Sequence, residues 1–360
     1  MNNPVNSEAA TGQTAAVEQL LRLYRGTFDV DARDIAALRG DGSERMIFRL
    51  HGASGTVVGI WGGYVPENRA FVGFSRSFAA AGLPVPAVYA VAEDERAYLE
   101  EDLGDTLLYD WQRARREGVE LNEEAFDMYA RVVRDLVRFQ VDAAESIDYG
   151  LCYQWPDFGV DALRFDMRYF REQFLDRVFP KYDAGVYENE TQRLVEYLLG
   201  ADRRYFLYRD FQSRNVMILR GEPRYIDYQS GRRGALHYDI ASMLFDAKAA
   251  LQPRAREMLL EIYLRELALR IPVDEEVFRP MYEAYSVARV LQALGAFGKL
   301  GLHYRKPGFR SSIPPALANL EYLSRHAQIF DSLGALRDLM LRLVEAMSRR
   351  DFSEVDQPCH

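Results

Sequence analysis

Three residues between Tyr205 and Asp239 have the types and spacing that suit phosphoryl transfer. Asp210 precedes Asn215 by five residues, and Asp227 follows Asp210 by seventeen, at the end of a short apolar run. The transition state of phosphoryl transfer is loose and highly charged, so catalysis depends on positioning and on charge neutralisation by a metal ion. Mg²⁺ prefers oxygen ligands, which Asn215 and Asp227 can supply. Asp210 is then left to accept the proton of a substrate hydroxyl.

Each of these residues also has a purely structural interpretation. Asp210 could cap a turn by accepting backbone N–H groups, and Asn215 could be an ordinary turn residue. Together they form the pattern Tyr-Arg-Asp-x4-Asn, followed by an apolar strand, the turn Arg220-Gly221-Glu222-Pro223 and a second strand that ends in Asp. This combination favours a catalytic loop, a β-hairpin and a metal-binding turn.

The first hundred residues predict the elements of a small antiparallel sheet. Helical spacing of apolar residues at 16–25 and again at 67–81 predicts two helices. Short apolar runs with turn-forming flanks predict strands. These runs lie at 46–50, 56–60, 87–91 and 97–101.

Beyond residue 107 the apolar periodicity is mostly helical, and prolines, among them Pro314-Pro315, fall at or beside the junctions. The predicted helices are 123–141, 165–178, 188–199, 240–251, 255–270, 274–297 and 335–348. The exception is the catalytic stretch, where short strands are expected at 206–208, 216–219 and 224–228.

These patterns predict an α+β fold of two lobes. A disordered tail is expected over residues 1–14. Residues 15–103 are expected to form a nucleotide-binding lobe with an antiparallel sheet. Residues 104–360 are expected to form a larger helical lobe that carries the catalytic loop and the substrate site.

The amino-acid composition indicates which class of protein this is and which partners are disfavoured. Hydrophobic residues make up 48% of the 360 residues and aromatic residues 12%, which indicates a packed globular chain. The net charge of −9 disfavours a nucleic-acid partner, because phosphate backbones select basic surfaces. Two cysteines, Cys152 and Cys359, do not make a zinc or disulfide framework.

The sequence also predicts where the protein works. No apolar run reaches membrane-spanning length, and the N-terminus lacks the regions of a signal peptide. We therefore expect a cytoplasmic protein without a membrane partner, either a monomer or a weak homodimer.

The catalytic stretch resembles a known family. Residues Tyr208–Asn215 are similar to the catalytic loop of the aminoglycoside phosphotransferase and choline kinase-like group, which has the protein-kinase-like fold, and Ile226–Gln229 are similar to its metal-binding turn. The resemblance implies that ATP and Mg²⁺ are the cofactors, with Asp210 as catalytic base and Asn215 and Asp227 on the metal. It also implies that Asp239 is a buried acid that orders the loop.

Asp239 has a second interpretation that does not depend on the resemblance. It immediately precedes the helix predicted at 240–251, and Asp is a favoured N-cap residue. Either interpretation gives Asp239 a structural role rather than a direct part in catalysis.

Other motifs narrow the resemblance to one subfamily. Gly42–Arg49 is similar to the nucleotide loop of bacterial kinases that phosphorylate the anomeric hydroxyl of N-acetylmuramate and N-acetylglucosamine. Supporting matches follow in order at 68–71, 83–86, 100–105, 170–175 and 294–297. The resemblance implies a small-molecule sugar substrate and a sugar 1-phosphate product. A kinase of an aminoglycoside or choline-like acceptor and a nucleotide-binding pseudokinase are the alternatives.

The chain departs from the family pattern at two places. Tyr208 stands where the catalytic loop usually begins with His, at a position that supports the backbone. In addition, the first lysine of the chain is Lys181, so the small lobe lacks the lysine that usually pairs with nucleotide phosphates. Arg45 or Arg49 is the candidate replacement, because guanidinium binds phosphate bidentately. Arg45 is preferred because it lies closer to the glycine turn, and a surface arginine is the alternative.

Two further regions are expected to contact the nucleotide. The backbone N–H groups of Gly42 and Ser43 can lie over its phosphates, although a plain hairpin turn is the alternative. The adenine is expected at the hinge, near Glu101 and Leu103, unless the acids there only form a solvated rim.

The sugar needs amide and charged donors for its hydroxyl and acetamido groups and aromatic rings for its flat faces. The candidates close to the catalytic motifs in sequence are Gln212, Arg214, Gln229, Tyr153 and Trp155.

Overall fold

The change from strand-forming to helix-forming sequence after the first hundred residues is also a change in the structure. The computed structural model describes residues 4–38, 45–53, 55–306, 308–350 and 352, with side chains from residue 12 onward. The strands in these residues are β1 (Asp34–Leu38), β2 (Met46–His51), β3 (Thr56–Trp61), β4 (Val88–Val91), β5 (Ala97–Glu101), β6 (Arg116–Glu117), β7 (Glu120–Leu121), β8 (Tyr205–Leu207), β9 (Val216–Leu219), β10 (Glu222–Tyr225) and β11 (Arg232–Gly234). The α-helices are α1 (Pro4–Phe28), α2 (Val65–Ala80), α3 (Leu108–Arg113), α4 (Glu123–Val137), α5 (Val160–Phe170), α6 (Asp176–Val178), α7 (Ala184–Leu198), α8 (His237–Leu244), α9 (Pro253–Ala268), α10 (Glu275–Phe297), α11 (Ile313–His326) and α12 (Gly334–Ser348).

The chain forms two compact units, each built from three segments. Unit 1 is residues 1–106, 146–154 and 217–230, and unit 2 is residues 107–145, 155–216 and 231–360. The lobes predicted from sequence are contiguous, whereas here two later segments group with the first hundred residues. The β9–β10 hairpin joins unit 1 through backbone hydrogen bonds from Ile218 N to Thr106 O and from Tyr225 N to Pro84 O. Asp227 therefore belongs to unit 1.

Unit 1 contains a five-stranded antiparallel sheet. Its strand order is β1-β2-β3-β5-β4. The register places Met46 opposite Trp61 in the β2–β3 pair and Val57 opposite Glu101 in the β3–β5 pair. The predicted strand runs and the α+β class are confirmed. The sheet forms because short apolar runs bounded by turn residues can bury one face only by pairing side by side.

Helix α1 packs on this sheet through residues spaced four apart. Ala16, Leu20 and Tyr24 are buried in one cluster with Phe48, Leu50, Val57, Ala97 and Leu99. The helix begins at Pro4, so it runs through most of the segment predicted as a disordered tail. Alanine is the strongest helix former, and residues 9–16 contain four alanines, which accounts for the longer helix.

Helix α2 anchors the end of the later hairpin within unit 1. The ring of Phe71 stacks on that of Tyr228 at 4.9 Å between centroids and on that of Tyr98 at 5.2 Å. The hydroxyl groups of Ser75 and Tyr228 are hydrogen-bonded at 2.6 Å. Because Tyr228 follows Asp227 directly, these buried contacts hold the predicted metal-binding turn in place.

Unit 2 is built mainly of helices around the long helix α10, which packs on α5, α8 and α11. Most of the predicted helices are present with ends displaced by a few residues. The helix predicted at 240–251 ends at Leu244 in α8, and the helix predicted at 165–178 runs through α5, a π-helical turn and α6. Helices α3 and α11 were not expected. Pro314 and Pro315 lie beside a junction, as predicted, in the first turn of α11, where a missing N–H costs nothing because the helix has no acceptor for it.

The third predicted strand of the catalytic stretch ends earlier than expected. Strand β10 stops at Tyr225, and Asp227 has a φ of 69°, in the left-handed region that a strand cannot contain. Among the described residues, none of the helices has the length and hydrophobicity of a membrane span.

Candidate active site

The catalytic loop of unit 2 follows a short buried strand. Strand β8 pairs antiparallel with β11, with Leu207 opposite Arg232. The chain then turns at Arg209, whose φ of 82° is uncommon for any residue except glycine. Such a conformation persists only where neighbouring groups hold it.

Asp239 is one of the groups that hold this turn. Its carboxylate accepts hydrogen bonds from the backbone N–H of Tyr208 at 2.7 Å and of Arg209 at 2.9 Å, and from Gln140 Nε2 at 3.3 Å. Burial raises the pKa of Asp239 to about 7, and the two backbone donors oppose that rise. Asp239 therefore orders the catalytic loop, as the resemblance implied.

The N-cap interpretation of Asp239 is wrong. Helix α8 begins two residues earlier, at His237, so Asp239 lies inside its first turn. The Asp239 carboxylate accepts hydrogen bonds from the backbone of Tyr208 and Arg209 in the neighbouring loop, and not from the N–H groups at the start of α8.

Arg209 anchors the same turn through its side chain. Its guanidinium makes a bidentate pair with Asp166, at 2.8 Å from Nη1 and 2.7 Å from Nη2. It also packs against the rings of Phe158 and Tyr238, about 5 Å from each centroid. Asp166 is 3% exposed, so the pair is buried. The side chain of Arg209 is thus fully engaged in structural contacts. Arg209 directly precedes Asp210, so these contacts also restrain the position of Asp210.

Asp210 and Asn215 lie at the two ends of one short loop. Asn215 Nδ2 donates to the backbone oxygen of Asp210 at 2.8 Å, and residues Ser213–Asn215 form a 3₁₀ turn. Within the part of the chain that the structure describes, no hydrogen bond reaches the Asp210 carboxylate. That half-exposed carboxylate is therefore open to a substrate proton.

Tyr208, which replaces the usual His, is buried among aromatic rings. Its ring makes edge contacts with those of Phe139, Phe206 and Phe211. The side chain therefore supports the loop from the core side.

Unit 1 carries a second group of candidate site residues, around Asp227. Asp227 Oδ1 accepts from Arg45 Nη2 at 3.1 Å and from Gln229 Nε2 at 2.8 Å. Glu67 Oε1 lies 3.5 Å from Arg45 Nε and 3.2 Å from Gln229 Nε2. Two carboxylates, a guanidinium and an amide thus form one connected network.

Burial changes the pKa values of charged groups in and beside this network. Burial raises the pKa of Glu100 to about 8, while Arg45 opposes the rise. Burial alone would lower the pKa of Arg45, but Tyr98 and the carboxylates of Asp227, Glu67 and Glu100 hold it above its ordinary value. Arg45 is therefore a permanent cation beside Asp227.

The two arginines considered as replacements for the missing lysine have different surroundings. Arg49 pairs with Asp102 at 2.7 Å and with Asp105 at 2.9 Å. Arg45 instead joins Asp227 and Glu67. Of the two arginines, Arg45 is therefore the one that contacts the turn at Asp227.

The other expected nucleotide contacts lie at the hinge and in the glycine turn. The Glu101 side chain pairs with Arg224 at 3.3 Å, and its N–H donates to Ala87 O at 2.8 Å. Leu103 is buried, and its N–H is hydrogen-bonded to none of the described residues. Gly42 and Ser43 lie outside the described residues.

The sugar candidates divide between the two units. In unit 1, the Tyr153 hydroxyl lies 2.9 Å from Ser230 Oγ, and Gln229 is bonded to Asp227 and Glu67. In unit 2, Gln212 and Arg214 flank Ser213 in the catalytic loop.

Trp155, the remaining sugar candidate, belongs to unit 2. Its ring packs on Phe165, 5.5 Å between centroids, and lies 6.0 Å from the guanidinium of Arg232.

Sequence reasoning missed two acids that hold the side chains of Arg209 and Arg45, Asp166 and Glu67. A signal existed for Asp166, since it interrupts the apolar face of α5 between Leu163 and Phe170. A carboxylate on a face that must be buried needs a partner, and Arg209 is that partner.

Comparison with known proteins gives the same family over most of the chain. The sequence profile of the phosphotransferase enzyme family, APH, matches residues 34–280. A relative from Pseudomonas putida, named N-acetylmuramate/N-acetylglucosamine kinase, is 26% identical over 330 residues, covering 89% of this chain and 92% of the relative. A relative of the same name from Neisseria meningitidis serogroup B is 24% identical over 253 residues, covering 69% and 74%.

A solved structure supports the fold. Ethanolamine kinase from Plasmodium vivax superposes with a TM-score of 0.56 at 12% identity, covering 79% of this chain and 81% of that chain. The protein-kinase-like α+β fold predicted from the sequence is confirmed. The chain belongs to the phosphotransferase enzyme family, and it is a phosphotransferase with an alcohol-type acceptor.

Proposed function

We propose that this protein is an ATP-dependent kinase of an N-acetylated amino sugar, N-acetylmuramate, N-acetylglucosamine or a related hexosamine, and that it phosphorylates the anomeric hydroxyl. The relatives from two bacterial genera carry both sugars in their names. The observation that carries the chemistry is the Asp210 carboxylate, which lies on a loop fixed by Asp239 and Arg209 and points to no described donor. The product is a sugar 1-phosphate.

In the proposed mechanism the Asp210 carboxylate accepts the proton of the anomeric hydroxyl. The sugar oxygen forms a bond to the γ-phosphorus of ATP as the bond between that phosphorus and the β,γ-bridging oxygen breaks, and ADP leaves. Because the transition state is loose, orientation of the hydroxyl and of the phosphates contributes most of the acceleration. The restrained backbone at Arg209 supplies that orientation for Asp210.

The donor types of Asn215 and Asp227 fit a magnesium ion. Asn215 Nδ2 donates to Asp210 O, and an amide oxygen is a kind of ligand that magnesium binds. Asp227 adds a carboxylate held by Arg45 and Gln229. Mg²⁺, when bound, would neutralise charge on the transferring phosphates. We assign Asn215 and Asp227 as its ligands and Arg45 as the cation that replaces the missing lysine.

The remaining sequence-based assignments stay proposals. The hinge near Glu101 and Leu103 would receive the adenine, and Gly42 and Ser43 would cover the phosphates. Gln212, Arg214, Gln229, Tyr153 and Trp155 would contact the sugar. We also propose that the protein works in the cytoplasm, where ATP is available, as a monomer or weak homodimer.

A coupled ADP-release assay tests this function. The panel should contain free hexoses, N-acetylhexosamines, N-acetylmuramate, aminoglycosides and choline, with phosphorus NMR to locate the new phosphate. We expect turnover of the N-acetylated sugars and none of their methyl glycosides, in which the anomeric oxygen is blocked. Phosphorylation of a methyl glycoside at the rate of the free sugar would contradict the anomeric assignment.

The role of Asp210 is tested by Asp210→Asn. Removal of a general base lowers kcat by about 10²–10⁴-fold, and the variant should fold normally because no described hydrogen bond depends on that carboxylate. Circular dichroism checks the fold. Unchanged kcat would show that another group accepts the proton and that the mechanism is wrong.

A further inference from the structure

A second group of charged residues lies beside the catalytic loop of unit 2, in the turn that follows α8. Asp246 Oδ2 accepts from the backbone N–H of Ser213 at 3.0 Å and from the Ser213 hydroxyl, and its Oδ1 accepts from the backbone N–H of Lys248 at 2.9 Å. One buried carboxylate thus ties the Lys248 turn to the 3₁₀ turn that carries Arg214 and Asn215.

The side chain of Lys248 is held between two aromatic rings. Its Nζ lies 5.6 Å from the ring centroid of Tyr109 in α3 and 5.7 Å from that of Phe309. The ammonium is half-buried, and it forms no ion pair within 4 Å with any residue that the structure describes. Aromatic faces orient a cation but do not neutralise it.

A second cation makes this environment more positive. Burial and repulsion from Arg214 together lower the pKa of Lys248 to about 8, while Asp246 and Asp110 oppose the drop. The Lys248 ammonium is therefore partly desolvated beside the catalytic loop. Because this ammonium forms no ion pair with a described residue, an anion that reached it would gain a direct charge partner.

We propose that Lys248, together with Arg214, forms the subsite that binds a carboxylate of the acceptor, and that it selects N-acetylmuramate over N-acetylglucosamine. This inference rests on the proposed sugar kinase function. The two sugars differ in a lactyl ether that carries a carboxylate in N-acetylmuramate and is absent from N-acetylglucosamine. A carboxylate matches the geometry and charge of an arginine and lysine pair.

The test measures kcat/KM for both sugars in Lys248→Met, which keeps the length of the side chain and removes its charge. We expect the ratio of kcat/KM for N-acetylmuramate over N-acetylglucosamine to fall about tenfold, as for other partly buried charge contacts. Lys248→Arg, which keeps the charge, should restore most of the ratio. Lys299→Met is the matched control, because Lys299 is also half-buried against one aromatic ring, that of Tyr169.

A chemical change in the substrate completes the test. The amide of N-acetylmuramate removes the carboxylate charge and keeps the size of the group. If Lys248 contacts the carboxylate, the unmodified protein should lose about tenfold on the amide while Lys248→Met loses little more, because interacting groups show non-additive effects.

The outcomes separate the two proposals. Turnover of both sugars with a ratio that Lys248→Met leaves unchanged would overturn the carboxylate subsite and leave the sugar kinase function standing. A ratio that falls equally in Lys299→Met would also overturn it, because the effect would not be specific to this cluster. Absence of turnover with either sugar in the unmodified protein would overturn the sugar kinase function and this inference with it.

Discussion

At the scale of single residues, arginines that look alike in the sequence have different partners in the structure and therefore different roles. Arg45 contacts Asp227 and Glu67, Arg49 contacts Asp102 and Asp105, and Arg209 is buried against Asp166. Guanidinium groups remain charged in all of these settings, so the partner decides the role. Only Arg45 shares a carboxylate with the proposed metal site.

This difference predicts distinct effects on ATP binding. Arg45→Met should raise KM for ATP by about 10–100-fold, because it removes a desolvated cation at the proposed phosphate site. Arg49→Met should change it much less, and Arg69→Met, in which an exposed arginine near Glu95 is lost, serves as the control. The measurement is KM for ATP at saturating sugar. A larger effect from Arg49→Met than from Arg45→Met would transfer the role to Arg49.

At the scale of elements, the catalytic loop is fixed from both sides. Asp239 in α8 holds its backbone, and Asp166 in α5 holds the side chain of Arg209. Helices α5 and α8 are distant in sequence, and both contribute an acid that contacts Arg209, the residue with the strained backbone. The active-site geometry is therefore a property of the packing of α5, β8 and α8.

Asp166→Asn should be strongly destabilising. It leaves the buried Arg209 charge without its carboxylate, and breaking a buried pair costs about 3–5 kcal/mol of unfolding free energy. Urea unfolding measures the change. The control is Glu257→Gln, which breaks the more exposed pair with Arg279 and should cost less than about 1 kcal/mol. Equal losses of unfolding free energy in the two variants would show that the buried pair of Arg209 and Asp166 contributes no more to stability than an exposed pair.

A histidine at the start of α8 predicts a pH effect on stability. His237 packs against the rings of Phe278 and Tyr285, and burial lowers its pKa to about 3. The unfolded chain binds the proton near pH 6.5, so between pH 6.5 and 3 it holds more protons than the folded chain and stability falls as pH falls. At pH 5 this group should cost about 2 kcal/mol relative to pH 7.

The measurement compares urea unfolding at pH 7 and pH 5. His237→Phe should lose that part of the pH dependence, whereas His303→Phe, at an exposed position, should keep it. If the two variants respond to pH in the same way, His237 does not cause the effect.

At the scale of the whole molecule, ligands should stabilise the fold by mass action. ATP with Mg²⁺ at about one hundred times its Kd would add about 2.7 kcal/mol, which raises Tm by several degrees. Asp227→Asn should lose the part of the shift that depends on Mg²⁺, because the proposed metal loses its carboxylate ligand. Differential scanning fluorimetry with Mg²⁺ or with EDTA measures this part.

Asp34→Asn is the control for that experiment, since Asp34 is an exposed acid in the same unit. It should keep the full shift. A Mg²⁺-dependent shift that survives in Asp227→Asn would remove Asp227 from the metal site.

Much of the fold was accessible from the sequence, because its signals are local. The strands of unit 1 and most helices of unit 2 follow from periodicity, and Asp210, Asn215 and Asp227 follow from their spacing. Helix α11 was missed, although Pro314-Pro315 is compatible with the first turn of a helix. The extension of α1 to Pro4 was missed because a polar start resembles a tail.

The sequence by itself predicted the chemistry: a base, an amide and a second acid at fixed separations around a hairpin, in a chain with no lysine before Lys181. The tertiary structure alone decided which arginine meets Asp227, which acid holds Arg209, and that Asp246 links the turn of Lys248 to the loop that carries Arg214. The physical reason is distance along the chain. Local spacing sets backbone geometry, but the charge partners of Arg45 and Arg209 and the aromatic neighbours of Lys248 come from other elements and exist only once those elements pack.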